Sequence, residues 1–261
     1  MLNNVHVLVT RPTHQAENLA NLVKANGGIP ICFPTLAIVE ADNFGLIQQK
    51  LQQLDTYQWL VFTSVNAVDF ALKANSGKIA EFKLKQLAAV GLATAKQLEK
   101  VGLSVNLVPK TGFSSEALLA MPQLYDIAGL SFLVVRGQGG REVLADGLVA
   151  RGARVDYLEV YKRVMPDIGS VPASEQMDLG KLDVITVTSA QVLQNLVAML
   201  APQEKDGRLF NLTLVVISER LGQIAQELGF KRIVVAENAA DAAILESIIT
   251  VCNGEECGRI D

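Results

Sequence analysis

Short apolar runs alternate with amphipathic runs along the whole chain. "VHVLVT" (Val5–Thr10) is followed by "THQAENLANLVKANGG", whose apolar positions recur at helical spacing before a glycine stop. The same beat gives "WLVFT" then "SVNAVDFALKA", and "QLAAVG" then "LATAKQLEKVG". It continues with "SFLVVR" then "GGREVLADGLVARG", "DVITVT" then "SAQVLQNLVAML", and "LTLVVIS" then "ERLGQIAQELG". Strands that are apolar at every position suit parallel sheets covered by helices on both faces. The alternation therefore predicts an α/β fold with parallel sheets and right-handed crossovers.

The pattern also repeats. "LVTRPTHQAENLANLVKANGG" matches "LVVRGQGGREVLADGLVARG" at an offset of 125 residues, which lays Arg11 on Arg136. "VFTSVNAVDF" and "ITVTSAQVLQNL" share an apolar strand, a Thr-Ser step and a helical run. "AAVGLATAKQLEKVG" matches "VVISERLGQIAQELG" at an offset of 127, and "VPKTGFSSEALL" matches "VAENAADAAIL" at the same offset. The halves are roughly 1–127 and 131–261. One equivalent pair breaks the beat: "FPTLAIVE" (33–40) and "LEVYKRVMP" (158–166) are both strand-like with mixed polarity. They could pair as linkers while the chain crosses between domains and returns. A plain tandem with its boundary near residue 128 is the simpler alternative.

Composition narrows the class. The 261 residues, 50% hydrophobic and 19% charged, suit a soluble protein of two domains, at roughly 100–150 residues each. A net charge of −4 leaves no global basic surface for nucleic acid, although a pocket can still be locally basic. No apolar run reaches the roughly 18 residues of a membrane span, and "MLNNVHVLVTRP" lacks a signal-peptide pattern. Cys32, Cys252 and Cys257 make no disulfide framework, so the chain reads as cytoplasmic. Cys252 and Cys257 lie in a polar tail with no histidine nearby, which suits a loose tail better than a metal site.

Familiar catalytic signatures are missing. His6 falls inside the first strand and His14 inside the first helix, and there is no metalloprotease, nucleophile-elbow or P-loop motif. "RGQGGRE" has Glu142 where a dinucleotide fingerprint wants its third glycine. What recurs is a strand ending in small polar residues or an arginine. These ends are Thr10 and Arg11, Thr63 and Ser64, Gly91 with Leu92 and Ala93, Arg136 and Gly137, Thr188 and Ser189, and Ser218. Such ends line the ligand crevice of an open α/β sheet, and the helices that follow present free N–H groups to anions. Ser and Thr there also serve as ordinary helix caps. Arg11 and Arg136 are candidate carboxylate clamps, with surface ion pairs as the alternative. Tyr161, in "LEVYKR", is the candidate proton donor in a linker strand, with packing as the alternative.

Together these segments resemble the uroporphyrinogen-III synthase family. The resemblance rests on "VLVTRP", "VFTSVNAV", "AAVGLATAKQLEKVG", "FSSEALL", "VVRGQGGRE", "VDYLEVYKR", "ITVTSAQVLQNL" and "VVISERLGQIAQELG", in family order over nearly the whole chain. It implies two flavodoxin-like α/β domains joined by a two-stranded ladder, and so decides against the tandem. Domain one would be 1–34 with 166–261, domain two 41–156, and the linker strands 35–40 and 157–165. It implies cyclisation of linear hydroxymethylbilane to uroporphyrinogen III, with loss of water and inversion of ring D, by positioning the substrate in the cleft between the domains.

The resemblance further implies a lyase of porphyrin and heme biosynthesis that needs no metal and no organic cofactor. The expected partner is a linear tetrapyrrole polycarboxylate, with transient handover from the preceding deaminase and no nucleic acid or membrane, and nothing in the sequence demands more than a monomer. Tyr161 inherits a modest role in hydroxyl loss. Ser114 and Ser115 of "FSSEALL" join the other strand-end residues as substrate contacts. Where the family's second-half motif has glycine and threonine this chain reads "ISERLG", so Ser218 and nearby backbone N–H groups stand in. The residues alone also suit a non-catalytic two-domain clamp for a small anion. A nucleotide-dependent oxidoreductase ranks third, because of the imperfect glycine pattern.

Overall fold

The computed structural model describes residues 1–167, 181–200 and 207–254. They divide into two compact units, the described residues of 1–37 and 164–261 forming one and Ile38–Arg163 the other. The chain thus enters the second unit and returns, and a plain tandem split near residue 128 is not what is found.

The first unit holds a sheet of five strands: β1 (His6–Val9), β2 (Ile29–Cys32), β8 (Val184–Val187), β9 (Thr213–Val216) and β10 (Arg232–Val235). Their order is β10-β9-β8-β1-β2, and the pairs are parallel. Helices α1 (Thr13–Ala25), α8 (Ala190–Leu200), α9 (Glu219–Glu227) and α10 (Asp241–Gly254) cover it. Successive strand residues point to opposite faces. Leu8, Ile185 and Leu214 accordingly pack with Phe33, Leu193 and Leu196. Val7, Val9, Val184 and Val215 pack with Leu19 and Ile248 on the other side. Burying each such side chain stabilises the unit by about 1.5–3 kcal/mol.

The second unit holds β3 (Ala37–Glu40), β4 (Trp59–Phe62), β5 (Gln86–Ala89), β6 (Ser131–Gly137) and β7 (Arg154–Val164), in the order β3-β7-β6-β4-β5. Its helices are α2 (Phe44–Gln52), α3 (Val65–Ala74), α4 (Ala80–Lys83), α5 (Leu92–Lys100), α6 (Ser115–Leu119) and α7 (Val143–Val149). Leu60, Phe62, Leu133 and Val135 pack with Val68 and Leu98. Val61, Phe132 and Val134 pack with Leu118 and Leu148 on the opposite face. The strands expected at 33–40 and 158–166 appear as β3 and β7, with β3 starting later and β7 earlier. Both are built into this sheet as neighbours.

The two sheets share a plan. β9-β8-β1-β2 in the first matches β5-β4-β6-β7 in the second in order, and β9, β8 and β1 lie in segments that align in sequence with those of β5, β4 and β6. Beyond β5, where the first sheet has β10, the second has a single parallel bridge between Ala88 and Leu107.

Candidate functional site

Parallel strands in register bring all their C-terminal ends to one edge of a sheet. In the second unit this edge carries Thr63 and Ser64 after β4, Gly91 after β5, and Arg136 and Gly137 ending β6. Ser64 has the extended backbone of an N-cap, and its Oγ accepts from the Ala67 N–H at 3.1 Å. The same Oγ lies 3.1 Å from the Tyr161 hydroxyl. Tyr161 is only 2% exposed. Its ring is flanked by Phe70, with centroids 5.7 Å apart, and its oxygen accepts from Arg163 Nη2 at 3.3 Å. Tyr161 pairs in register with Gly137, past a shift in the β6–β7 ladder. A side chain at Gly137 would place its Cβ 2.5 Å from the Tyr161 ring, so only glycine allows this approach.

Arg136 is 5% exposed, and each of its three nitrogens has a partner. Its Nε donates to Gly137 O at 3.3 Å, Nη1 to Arg141 O at 3.4 Å, and Nη2 to Gly140 O at 2.9 Å. Nη2 also meets Glu142 Oε1 at 3.0 Å, and Nε lies 3.4 Å from Glu159 Oε1. Its Cζ sits 4.2 Å from the centre of the Tyr157 ring, a cation–π stack. The Tyr157 hydroxyl donates to Glu142 Oε2. That hydrogen bond, followed by Arg136, holds the Glu142 carboxyl below its ordinary range. Burial first, and then the Glu142 hydrogen bond, push the Tyr157 phenol up to about 12.

The rest of this edge is more open. Thr63 Oγ1 donates to Val135 O at 3.2 Å. Ser114 caps α6 through the Ala117 N–H at 3.2 Å, and Ser115 is that helix's first residue. Glu116, in the same turn, pairs with Arg141. Gly91 caps α5 without a side chain, leaving Leu92 46% exposed and Ala93 exposed. Phe113 is 50% exposed, and a Cβ on Gly91 would lie 3.7 Å from the Phe113 Cβ. Phe113 holds φ at 29°, a left-handed backbone that a bulky residue rarely adopts.

In the first unit the equivalent edge carries Thr10 and Arg11 after β1, Thr188 and Ser189 after β8, and Ser218 after β9. Thr10 is 0% exposed, and its Oγ1 donates to Thr186 O at 2.6 Å. Thr186 Oγ1 returns a hydrogen bond to Leu8 O at 3.1 Å, so both hydroxyls are committed inside the sheet. Arg11 pairs with Asp241 through Nη1, and its Nη2 donates to Ala239 O at 3.1 Å. Thr188 is half-buried at the tip of its strand. Ser189 caps α8 through Val192 N–H at 3.2 Å. Ser218 caps α9 through Leu221 N–H at 3.4 Å.

Sequence reasoning passes over Glu142 and Glu159 as partners of Arg136, Asp241 as partner of Arg11, and Arg163 and Phe113. The signals are thin: one acid inside a strand, one acid opening a helix, one aromatic after a glycine. A cavity of about 440 Å³ lined by Gln48, Asp55, Asn75 and Ser76 lies around the end of α3, at the opposite edge of the second sheet. His6 is also far from these edges, at the start of β1 with Nδ1 3.8 Å from Asp183 Oδ2. Among the described residues no group of three or more His, Cys, Asp or Glu could hold a metal ion, and no helix is long and apolar enough to cross a membrane. Cys257 lies outside the described residues.

The profile of the family described as uroporphyrinogen-III synthase HemD matches residues 17–246. The uroporphyrinogen-III synthase of Escherichia coli K12 is 32% identical over 243 residues, covering 93% of this chain and 99% of that protein. The Salmonella typhimurium enzyme is 31% identical over the same coverage. A mutant uroporphyrinogen III synthase from the extremely thermophilic bacterium Thermus thermophilus superposes with a TM-score of 0.64 at 19% identity, covering 96% of this chain and all of that one. The Helicobacter pylori 26695 uroporphyrinogen-III synthetase gives a TM-score of 0.62 at 16% identity, covering 95% of this chain and 99% of that one.

Proposed function

We propose, for a chain that belongs to the uroporphyrinogen-III synthase family, that its strand-end edges grip the substrate's carboxylates while Tyr161 and Ser64 assist the loss of its hydroxyl. The reaction is cyclisation of hydroxymethylbilane to uroporphyrinogen III, with loss of water and inversion of ring D. Family membership favours this enzyme over a non-catalytic anion clamp.

The bilane hydroxyl sits on a carbon attached to a pyrrole, and the pyrrole nitrogen's electron pair pushes it out. A proton delivered to that oxygen lets it leave as water. The cation then accepts the last ring. Attack through the already substituted carbon of ring D gives a spiro intermediate that rearranges to the inverted ring. Attack through the free carbon gives type I, which forms without enzyme. The protein must therefore choose the attacking carbon by holding the chain folded. A strong acid is not required.

The carrying observation is the hydrogen-bonded contact between Ser64 and Tyr161, backed by Gly137, at the end of β4 and β6. It puts two linked hydroxyls beside the N-terminus of α3, where free N–H groups favour an anion. The N-termini of α5, α8 and α9 supply further sockets through Gly91, Leu92 and Ala93, Thr188 and Ser189, and Ser218. Leu92 and Phe113 offer apolar faces for pyrrole rings. Arg11 receives a carboxylate only by exchanging its Asp241 partner. Strands 35–40 and 157–165 act as the links between domains 1–34 with 166–261 and 41–156. The chain works as a cytoplasmic monomer. Bilane left in water closes to type I, so direct transfer from the preceding deaminase shortens that exposure.

Purified protein given freshly made hydroxymethylbilane, without added cofactor, should yield the type III isomer. Recovery of type I alone, at the spontaneous rate, would refute the assignment.

A further inference from the structure

Arg136 has the sequence position of a carboxylate clamp and lines a cavity of about 320 Å³ with Glu142, Tyr157 and Glu159, but two carboxylates already meet its charge there. A clamp needs free N–H donors facing the ligand. Here Nε, Nη1 and Nη2 all donate to carbonyls of the segment that follows, those of Gly137, Gly140 and Arg141. Its charge is met by Glu142 and Glu159, and one face is covered by Tyr157. A guanidinium that donates from all three nitrogens to backbone carbonyls of its own loop is the core of that loop.

The loop begins with Gly137, and Gly137 is the surface on which the Tyr161 ring rests. The Gln138 N–H donates to Tyr161 O at 2.8 Å, so the loop also fixes the Tyr161 backbone. Phe70 supports the ring separately, and Ser64 and Arg163 hold the hydroxyl. The Gly137 side is the one that depends on Arg136.

We propose that Arg136 is a positioning residue: it folds residues 137–142 around its guanidinium and so sets Gly137 against the Tyr161 ring, rather than meeting a substrate carboxylate. This rests on the reading of Tyr161 as an aid to hydroxyl loss. Two consequences separate it from a clamp. Loss of Arg136 acts on turnover more than on substrate binding, and it acts through Tyr161. Lysine does not restore the function, because a compact ammonium cannot reach three carbonyls as a planar fork does.

The test uses the full chain and hydroxymethylbilane, with kcat and KM measured for Arg136→Met, Arg136→Lys, Tyr161→Phe and the Arg136→Met/Tyr161→Phe double variant. Arg136→Met should lower kcat about tenfold with KM changed by less than about twofold, and Arg136→Lys should behave alike. In the Tyr161→Phe background Arg136→Met should add less than about twofold, since residues acting as a unit are non-additive. A raised KM at unchanged kcat, or fully multiplicative effects, would overturn the proposal. A second readout is independent of activity. In protein labelled with 3-fluorotyrosine, the Tyr161 resonance, assigned by its loss in Tyr161→Phe, should move in Arg136→Met and stay in place in Arg11→Met. An unmoved resonance refutes the positioning role. Should Tyr161→Phe leave kcat intact while the resonance still moves, the role assigned to Tyr161 fails and the packing claim stands. If Arg136→Met does not fold, Glu142→Gln removes one of the partners and should show the same dependence on Tyr161 at smaller size; an effect indifferent to Tyr161 would count against the proposal.

Discussion

The two units bring matching strands to matching edges and then equip them differently. In each, a Thr-Ser step ends an inner strand and its serine caps the following helix: Ser189 on α8 and Ser64 on α3. In each, an arginine lies at the C-terminal end of the strand beside it, Arg11 just past β1 and Arg136 within β6. Past that point the likeness stops. Arg11 reaches an acid 230 residues away, Asp241, at the start of the last helix. Arg136 instead gathers its own loop, with Glu142 six residues on. At the 125-residue offset Tyr161 aligns with Leu36, and Gly137 with Pro12. The second unit therefore has a phenol linked to its serine, while the equivalent place in the first is aliphatic. Two sheets of matching strand order thus differ at this edge, with a buried phenol against the serine in one and an aliphatic residue in the other.

The largest expected effect is Gly137→Ala. Its Cβ would lie 2.5 Å from the Tyr161 ring, so ring or strand must shift. Overpacking of this kind costs about 1–3 kcal/mol, and misplacement by about 1 Å can cost roughly a hundredfold in rate. Steady-state kinetics should show kcat falling about that far, together with a lower Tm.

Tyr161→Phe comes next. Loss of one hydrogen bond, worth about 1–1.5 kcal/mol, corresponds to about tenfold in kcat. The isomer formed should stay type III, because folding of the bilane does not depend on the phenol. Its counterpart Leu36→Met, a volume-conserving change at a buried site, should leave kcat within about twofold and cost under about 1.5 kcal/mol. Equal losses at the two positions would erase the difference between the units.

The smallest effect is one of pH. Glu142 is held below its ordinary 4.5 by Tyr157 and then Arg136. Its contribution is complete above about pH 4.5 and fades as pH falls through the lowered value. Tyr157 is raised from 10 to about 12, so its contribution is complete below pH 10 and fades as pH rises through about 12. Melting curves of wild type and Tyr157→Phe should differ most between these limits and converge outside them. A difference that did not vary with pH would show that the pair contributes by packing alone.

Much of the frame is legible in the sequence because it follows from periodicity. Apolar runs such as "SFLVVR" and "DVITVT" can be buried on both faces only as parallel strands under helices. The short edge strand β2 is harder to see, since Pro30 sits inside its four residues. An edge position tolerates the missing N–H. The strand ends and caps are equally visible, because Thr, Ser and Gly there are set by local geometry. What surrounds a side chain is not local. "LVTRP" carries no sign that Asp241 meets Arg11, and "VVRGQGGRE" looks the same whether its first arginine faces solvent or its own loop. Tyr161 is recognisable as a residue, but its support by Gly137 depends on a register shift in the β6–β7 ladder that no pattern announces.

The division of labour between the units is tested most directly by comparing Ser64→Ala with Ser189→Ala in the hydroxymethylbilane assay. Each removes a helix cap worth about 1 kcal/mol, so both should lose similar stability. Ser64→Ala also removes the hydroxyl that meets Tyr161 at 3.1 Å. It should lower kcat about tenfold, whereas Ser189→Ala should change KM and leave kcat within about twofold. Equal falls in kcat for the two variants would contradict the account.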